Sequence, residues 1–341
     1  MTTRRDTWER IVSTAHAGIY ESNYLKANSP DGQRGLWIKH NLLRPVQGDG
    51  IGEFWVILFE RGHAPRVVKR EVALSEIALS DADIEITAGP ISLRADRATG
   101  SIADIRWDLG LTPTQPPLMH LRWDWMYTAG FPKKKLITPA PNLRFDGDIV
   151  VGGERWNVEG WIGMRGHNWG REHAWSYAYG NCNLWADGSD RLVDGFSARI
   201  RLPGGGKSPW LSTVMARQPD HDLNRISDWF GGATVDADRW SLSTGGCRLE
   251  MTADPDTYVG LRYVHPSGEE SYCYNTKFAS VAWDTPSGRF TSEMGELEVL
   301  FATPLAGVRL HPSAEWQPDA GDYSSGGAKA ADAGTDGDNE M

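Results

Sequence analysis

His167, Trp169, Arg171, His173, Trp175, Tyr177 and Tyr179 fall at every second position of GMRGHNWGREHAWSYAYGN, residues 163–181. In an extended chain successive side chains point to opposite faces, so these seven share one face. Asn168, Gly170, Glu172, Ala174, Ser176, Ala178 and Gly180 share the other, which is nearly all small. An imidazole can give or take a proton near neutral pH. Aromatic faces stabilise a nearby cation by about 0.5–2 kcal/mol each. A strand of this kind suits acid catalysis on an apolar molecule. The competing explanation is packing, since Trp175, Tyr177 and Tyr179 would also serve as core. Two histidines fit that explanation less well, because burying them requires partners for their ring nitrogens. His167, Trp169 and His173 are therefore the candidate catalytic residues, and Asn168, Arg171, Trp175, Tyr177 and Tyr179 the candidate substrate contacts.

Other chemistries find less support. His167 and His173 are six residues apart, and no HExxH, cysteine pair or carboxylate cluster completes a ligand set, so no metal site is expected. A GxSxG elbow is absent, which disfavours a serine hydrolase. No GxGxxG or GxxxxGK[ST] loop occurs, and PGGGKSPW from Pro203 reads as a turn, so no organic cofactor is expected either. In HLRWDWMYTAG, an extended reading puts Trp123 and Trp125 on one face and Asp124 on the other. All three are candidate substrate contacts, although Asp124, like Glu21 in YESNYL, would serve equally as a structural hydrogen-bond acceptor. Cys182, Cys247 and Cys273 are odd in number and widely spaced, which suits reduced thiols.

The elements that must position these residues are β-strands. GLWIKHNLL, GEFWVILFE, ADIEITAG, ISLRAD and IADIRWDLG follow one another with Gly, Pro or Asp between them, and the second half has the same character. FPKKKLITPAPNLRFDG, basic and punctuated by proline, interrupts the series. A straight strand of thirteen residues would span about 40 Å, so a bend is expected at Gly170, with His167 and Trp169 on one local surface and His173 onward on another. A helical segment is expected over Thr7 to Ala15. The organisation expected is an N-terminal segment (1–16), two β units (17–178 and 179–314) and a tail (315–341).

The 16 Trp and 38 Gly among 341 residues favour broad aromatic contacts and tight turns. The net charge of −10 lies largely in the tail, where seven acids and one lysine after Ala314 account for −6. That tail is expected to be disordered. The body lacks the basic face that nucleic acid requires. No apolar run suggests a signal peptide or a membrane span, which fits a cytoplasmic protein. The sequence is silent on oligomeric state.

The segment FPKKKLITPAPNLRFDGDIVVGGERWNVEGWIGMRGHNWGREHAWSYAYGN resembles the central part of the lipocalin-like (calycin) superfamily. That superfamily includes carotenoid 1,2-hydratases, AttH-type proteins and lipocalin-like Diels–Alderases. ESNYLKANSPDGQRGLWIKHNLL resembles its opening strands, and the likeness runs in outline over residues 17–310. It implies an all-β fold of two tandem antiparallel β-barrels enclosing an apolar pocket. It further implies a hydratase, cyclase or pericyclase without organic cofactor, acting on a hydrophobic polyene, terpenoid or polyketide-like substrate. The alternative is a non-catalytic lipid or terpenoid carrier. In the carotenoid hydratases the His and Trp of HNW are implicated in catalysis, and these match His167 and Trp169. Their Tyr-x-Asp pair on a following strand is not matched, since Phe196 and Ala198 stand there with Asp194 just before.

Overall fold

Alternation decides the simplest strands: in Ile105–Pro113 the side chains of Ile105, Trp107, Leu109 and Leu111 are buried, and Arg106 and Asp108 between them are exposed. The computed structural model describes residues 17–80, 83–202, 204–217, 222–223, 232–308 and 310–311. The helix expected over Thr7 to Ala15 and the acidic tail lie outside these. The described residues form two antiparallel sheets, one a nearly closed barrel and the other a half-barrel.

The first sheet contains β1 (Ile19–Asn28), β2 (Arg34–Arg44), β3 (Ile51–Glu60), β4 (Arg66–Ala73), β5 (Ala78–Leu79) and β6 (Glu85–Ala88). It continues with β7 (Ile91–Arg94), β8 (Arg97–Ile102), β9 (Ile105–Pro113) and β10 (Leu118–Met119). After a one-turn helix, α1 (Trp125–Thr128), come β11 (Lys134–Val151), β12 (Glu154–Asn157) and β13 (Trp161–Gly170). Its order is β4-β3-β2-β1-β13-β11-β9-β8-β7-β6-β5, with β10 and β12 paired to β11.

The second sheet contains β14 (Ser176–Cys182), β15 (Leu192–Arg199), β16 (Leu211–Arg217), β17 (Asp222–Leu223), β18 (Gly232–Val235) and β19 (Arg239–Thr244). It ends with β20 (Cys247–Thr252), β21 (Val259–Val264), β22 (Glu270–Thr285), β23 (Gly288–Phe301) and β24 (Leu310–His311). Its order is β17-β16-β15-β14-β23-β22-β20-β19-β18, with β21 joining β22 to β24.

Two expectations change. FPKKKLITPAPNLRFDG does not interrupt the sheet, because most of it is β11, the longest strand, with register shifts between Ile137 and Ala140 and between Ala140 and Leu143. Proline has no N–H for a ladder, and Pro139 and Pro141 sit where the ladder skips. The changeover between sheets falls between Gly170 and Ser176, so the expected division at 178/179 cuts β14, a strand wholly in the second sheet.

Each sheet has its own core, and a third apolar cluster joins them. Leu25, Ile38, Val56, Leu109, Phe145 and Trp161 belong to the core of the first sheet, and Val193, Trp240, Met251 and Trp283 to that of the second. The joining cluster takes Tyr24, Trp37, Ile57 and Met164 from the first sheet and Tyr177, Tyr179, Leu261 and Leu300 from the second. Strand β1 is thus covered on both faces, which explains how IYESNYLKAN can be buried along nearly its whole length. Gly35 lies where the two sheets touch, since a Cβ there would stand 2.8 Å from that of Lys277. No helix among the described residues is long and apolar enough to cross a membrane.

Candidate functional site

Strand β13 pairs with β1 on one side and β11 on the other, so its side chains alternate between two buried environments. Trp161 belongs to the core of the first sheet, and the same alternation turns Arg165, His167 and Trp169 inward. Met164, Gly166 and Asn168 turn towards the second sheet. The HNWG segment therefore does not present His167 and Asn168 to one site.

The inward face carries polar groups in a dry place. His167 and Glu21 are both fully buried, and His167 Nε2 shares a hydrogen bond of 2.7 Å with Glu21 Oε1. The Trp169 ring lies 4.7 Å from that of His167 and packs with Leu121, Met126, Tyr127 and Ile137. Across β1, Asn23 stands opposite both His167 and His40. His40 is fully buried, and burial lowers its pKa to about 4, although the Asn23 backbone opposes the shift. His40 is a neutral imidazole at neutral pH.

The opposite face of β1 carries more charge. Lys26 Nζ lies within 5 Å of the Tyr24, Trp37 and Tyr179 rings. It forms an ion pair with Glu296 and reaches Glu298 Oε2 at 3.5 Å. Tyr177 Oη donates to Glu298 Oε1 at 2.5 Å, and Asn275 Nδ2 donates to Glu298 Oε2 at 3.2 Å. Lys277 Nζ donates to Asn275 Oδ1 at 2.7 Å. Lys39 Nζ donates to Tyr263 Oη at 2.6 Å, and Lys134 Nζ stands 4.3 Å from the Tyr177 ring centre.

Burial sets the protonation of this array. It lowers Lys26 to about 8 against the opposing pull of Glu298, and lowers Lys134 to about 8 as well. Lys39 and Lys277 are lowered by the same cause. Burial alone would raise Glu298, but Lys26, Lys39, Lys134 and the Tyr177 hydroxyl together hold it down to about 2. Tyr24, Tyr177, Tyr179 and Tyr263 are pushed well up by burial, so all four are phenols at neutral pH. The array is a carboxylate, phenols, and ammonium groups poised to lose a proton.

The predicted residues divide accordingly. Tyr177, Tyr179 and Asn168 meet on the inter-sheet face, where Asn168 hydrogen-bonds Tyr24. His173, on the connector, stacks on Tyr20 at 4.1 Å and lies beside Tyr263 and His265. Burial, with Lys134 and His265 nearby, holds its pKa well below the usual histidine value. His167 and Trp169 lie on the other side of β13. Arg171 is exposed on the connector. Trp175, also on the connector, lies beneath Arg201 and Lys207 instead of lining the inter-sheet face. Trp123 and Trp125 are not alternating strand residues: they stack at 6.1 Å at the start of α1, of which Trp125 is the first residue, 39% and 54% exposed, and Asp124 between them is exposed. Asp124 accepts a hydrogen bond from Tyr127 through its backbone carbonyl.

Sequence reasoning passed over Lys26, Lys39, Lys134, Lys277, Tyr263 and Glu298. A charged residue alternating with apolar ones, as in GELEVLF, reads as a solvent face, and only the first sheet, packed against it, makes it buried. Asp194 is also fully buried, receiving hydrogen bonds from Thr138 Oγ1 at 2.8 Å and Asn181 Nδ2 at 3.4 Å, with His120 Nε2 at 3.5 Å. Cys182, Cys247 and Cys273 are free thiols, all buried. Among the described residues no three His, Cys, Asp or Glu side chains are grouped to hold a metal ion.

The chain matches no protein-family model and no curated protein. It is similar in structure to a candidate AttH from Nitrosomonas europaea, at 15% identity and a TM-score of 0.56, over 86% of this chain and 98% of that one. It is similar to kievitone hydratase from Nectria haematococca, at 10% identity and a TM-score of 0.54, over 89% and 96%. CghA, solved with Sch210972, matches at 8% identity and a TM-score of 0.52, over 83% and 88%. At these identities the likeness is one of fold, and this chain has the lipocalin-like fold that its HNWG segment implied.

Proposed function

We propose that the protein is a lyase or isomerase that acts by proton transfer on an apolar, unsaturated substrate held between its two sheets. The observation that carries this reading is the chain of hydrogen bonds and ion pairs Tyr177–Glu298–Lys26, buried and walled by the rings of Tyr24, Trp37 and Tyr179. Protonating a carbon–carbon double bond requires a donor in a place where water does not compete, and something to stabilise the resulting cation. Tyr177 supplies the phenol proton, Glu298 the compensating carboxylate, and the aromatic rings their negative faces. Lys26, with a pKa of about 8, returns the proton close to neutral pH. Water addition to the cation gives a hydratase, internal attack gives a cyclase, and proton loss elsewhere gives an isomerase. That one protein of this fold is named a hydratase agrees with the first outcome.

Within this reading His167 and Trp169 brace β13 from its inward side, and His173 lines the inter-sheet end. The test is incubation of the purified protein in D2O with a panel of apolar polyenes and terpenoids, followed by mass spectrometry. Proton transfer leaves one deuterium on carbon in each product, and Tyr177→Phe is expected to lower the rate by about 10² to 10⁴. A pericyclic reaction would give product without deuterium. Recovery of bound but unchanged molecules would favour a carrier.

A further inference from the structure

The lysines between the sheets are unevenly matched by acids. Lys26 and Lys277 lie within ion-pair range of Glu296. Lys39 donates to the Tyr263 hydroxyl and lies over the Trp37 and Tyr263 rings, and Lys134 lies over the Tyr177 ring. Among the described residues neither Lys39 nor Lys134 has a carboxylate within ion-pair distance. The carboxylates felt by these two lysines are already engaged: Glu298, beyond ion-pair distance of both, is shared with Lys26, and Glu53, which Lys39 also feels, is paired with Lys69.

The same end holds donors that lack protein partners. Tyr20 Oη and Ser22 Oγ, on the face of β1 that also bears Tyr24 and Lys26, are buried at 6% and 5% exposure and have no hydrogen-bond partner among the described residues. His173 Nδ1, on the ring stacked against Tyr20, is likewise unmet. The His173 ring lies 5.5 Å from that of Tyr263, whose hydroxyl accepts from Lys39, and Lys134 and Tyr20 both stand opposite Gly170, so these groups gather at one end of the inter-sheet face. An unbalanced ammonium in a dry interior is costly, and an anion beside it removes the cost. A carboxylate can accept several hydrogen bonds at once, which matches unmet hydroxyls next to two cations. The surrounding walls, Trp37, Tyr177, Tyr179 and Phe196, are aromatic.

We infer that the substrate is amphipathic, with an ionised carboxylate or similarly acidic enol held by Lys39 and Lys134 and its unsaturated body lying towards Tyr177. This assignment rests on the inter-sheet reading of the site. It places the head group at the Tyr20 and His173 end and makes Lys39 and Lys134 the specificity determinants.

The test is a fluorescence titration of the full chain with cis-parinaric acid and with its methyl ester, which share a tetraene and differ in charge. The acid is expected to bind at least about tenfold more tightly than the ester. Lys39→Gln and Lys134→Gln are each expected to weaken the acid about tenfold and leave the ester within about twofold. Should Lys39→Gln fail to fold, the half-buried Lys134 decides alone. Equal affinities for acid and ester, or an acid-to-ester ratio unchanged in Lys134→Gln, would overturn the head-group assignment. Ala198→Trp, on the inter-sheet face of β15, separates this from the site itself. If acid and ester bind equally and Ala198→Trp displaces both, the head group is wrong and the site stands. If a folded Ala198→Trp protein binds both as before, or the unaltered chain binds neither, the site reading falls.

Discussion

Gly166 shows how much the inter-sheet site depends on one missing methyl group. A Cβ at this position would stand 2.2 Å from Tyr24 Cζ and 2.4 Å from its Oη, so the glycine is what lets the Tyr24 ring lie across β13. Gly166→Ala must push that ring aside and is expected to cost about 1–3 kcal/mol in urea unfolding. An unchanged midpoint would show that Tyr24 is free to move. On the other side of the strand, His167→Ala would leave Glu21 in a fully buried position without its 2.7 Å partner. A loss of about 2–4 kcal/mol is expected. His167→Gln, which can still bond the carboxylate, should recover part of it. Loss of less than about 0.5 kcal/mol in the alanine variant would mean that the pair contributes nothing to stability.

At the level of elements, β13 is the shared member, hydrogen-bonded to β1 and β11 and tied to the second sheet through Asn183. The Asn183 Nδ2 amide donates to Gly163 O at 2.6 Å and to Pro141 O at 3.3 Å, joining β11, β13 and the segment after β14. Asn183→Ala leaves those carbonyls short of a donor and is expected to cost about 1–3 kcal/mol. Unfolding followed by Trp fluorescence and by far-ultraviolet circular dichroism checks it, and coincident curves at the original midpoint would refute the tie. The two strands flanking Gly170 were legible in the sequence, because period-two alternation survives in HNWG and in SYAYG, and a break between them follows from length. Which face of each looked towards what was not legible. His167 and Tyr177 sit in register along the sequence, yet the chain changes sheets at 171–175 and sends them to different environments. The proline-rich run misled for a related reason: a strand long enough to absorb bulges can place Pro139 and Pro141 where no ladder bond is needed. The exposed corner at Trp123 and Trp125 looked like a lining because tryptophans at alternate positions are a strand pattern, and nothing local marks the short helix that Trp125 opens.

For the whole molecule, the buried ionisable groups make stability depend on pH in a characteristic order. His40, with a folded pKa of about 4, binds protons more weakly than in the unfolded chain, so stability should fall as pH drops from about 6.5 towards 4. Glu298, held at about 2, adds a further loss between about 4.5 and 2. Lys26 and Lys134, lowered to about 8, hold fewer protons than unfolded lysines between pH 8 and about 10.4, so their contribution rises with pH across that interval. Above about pH 8.5 the buried thiols of Cys182 and Cys273 offset part of this gain, and above about pH 10 the buried tyrosines reverse the trend, since both stay protonated while their unfolded counterparts ionise. Melting temperatures are therefore expected to rise from pH 8 to about 10 and then drop, and a steady decline from pH 8 would contradict the lysine burial. One further consequence follows from the pairing of Tyr20 with Gly170 and Asn28 with Ile162. The strand nearest the start of the first sheet completes its ladder only with the last strand of that sheet. On a ribosome adding about 5–20 residues per second, β1 would wait roughly 7–28 s for β13 to emerge. Folding is thus governed by a contact of long sequence separation, which makes it slow. Until that contact forms, one edge of β1, with Lys26 already in it, faces the cell unpaired.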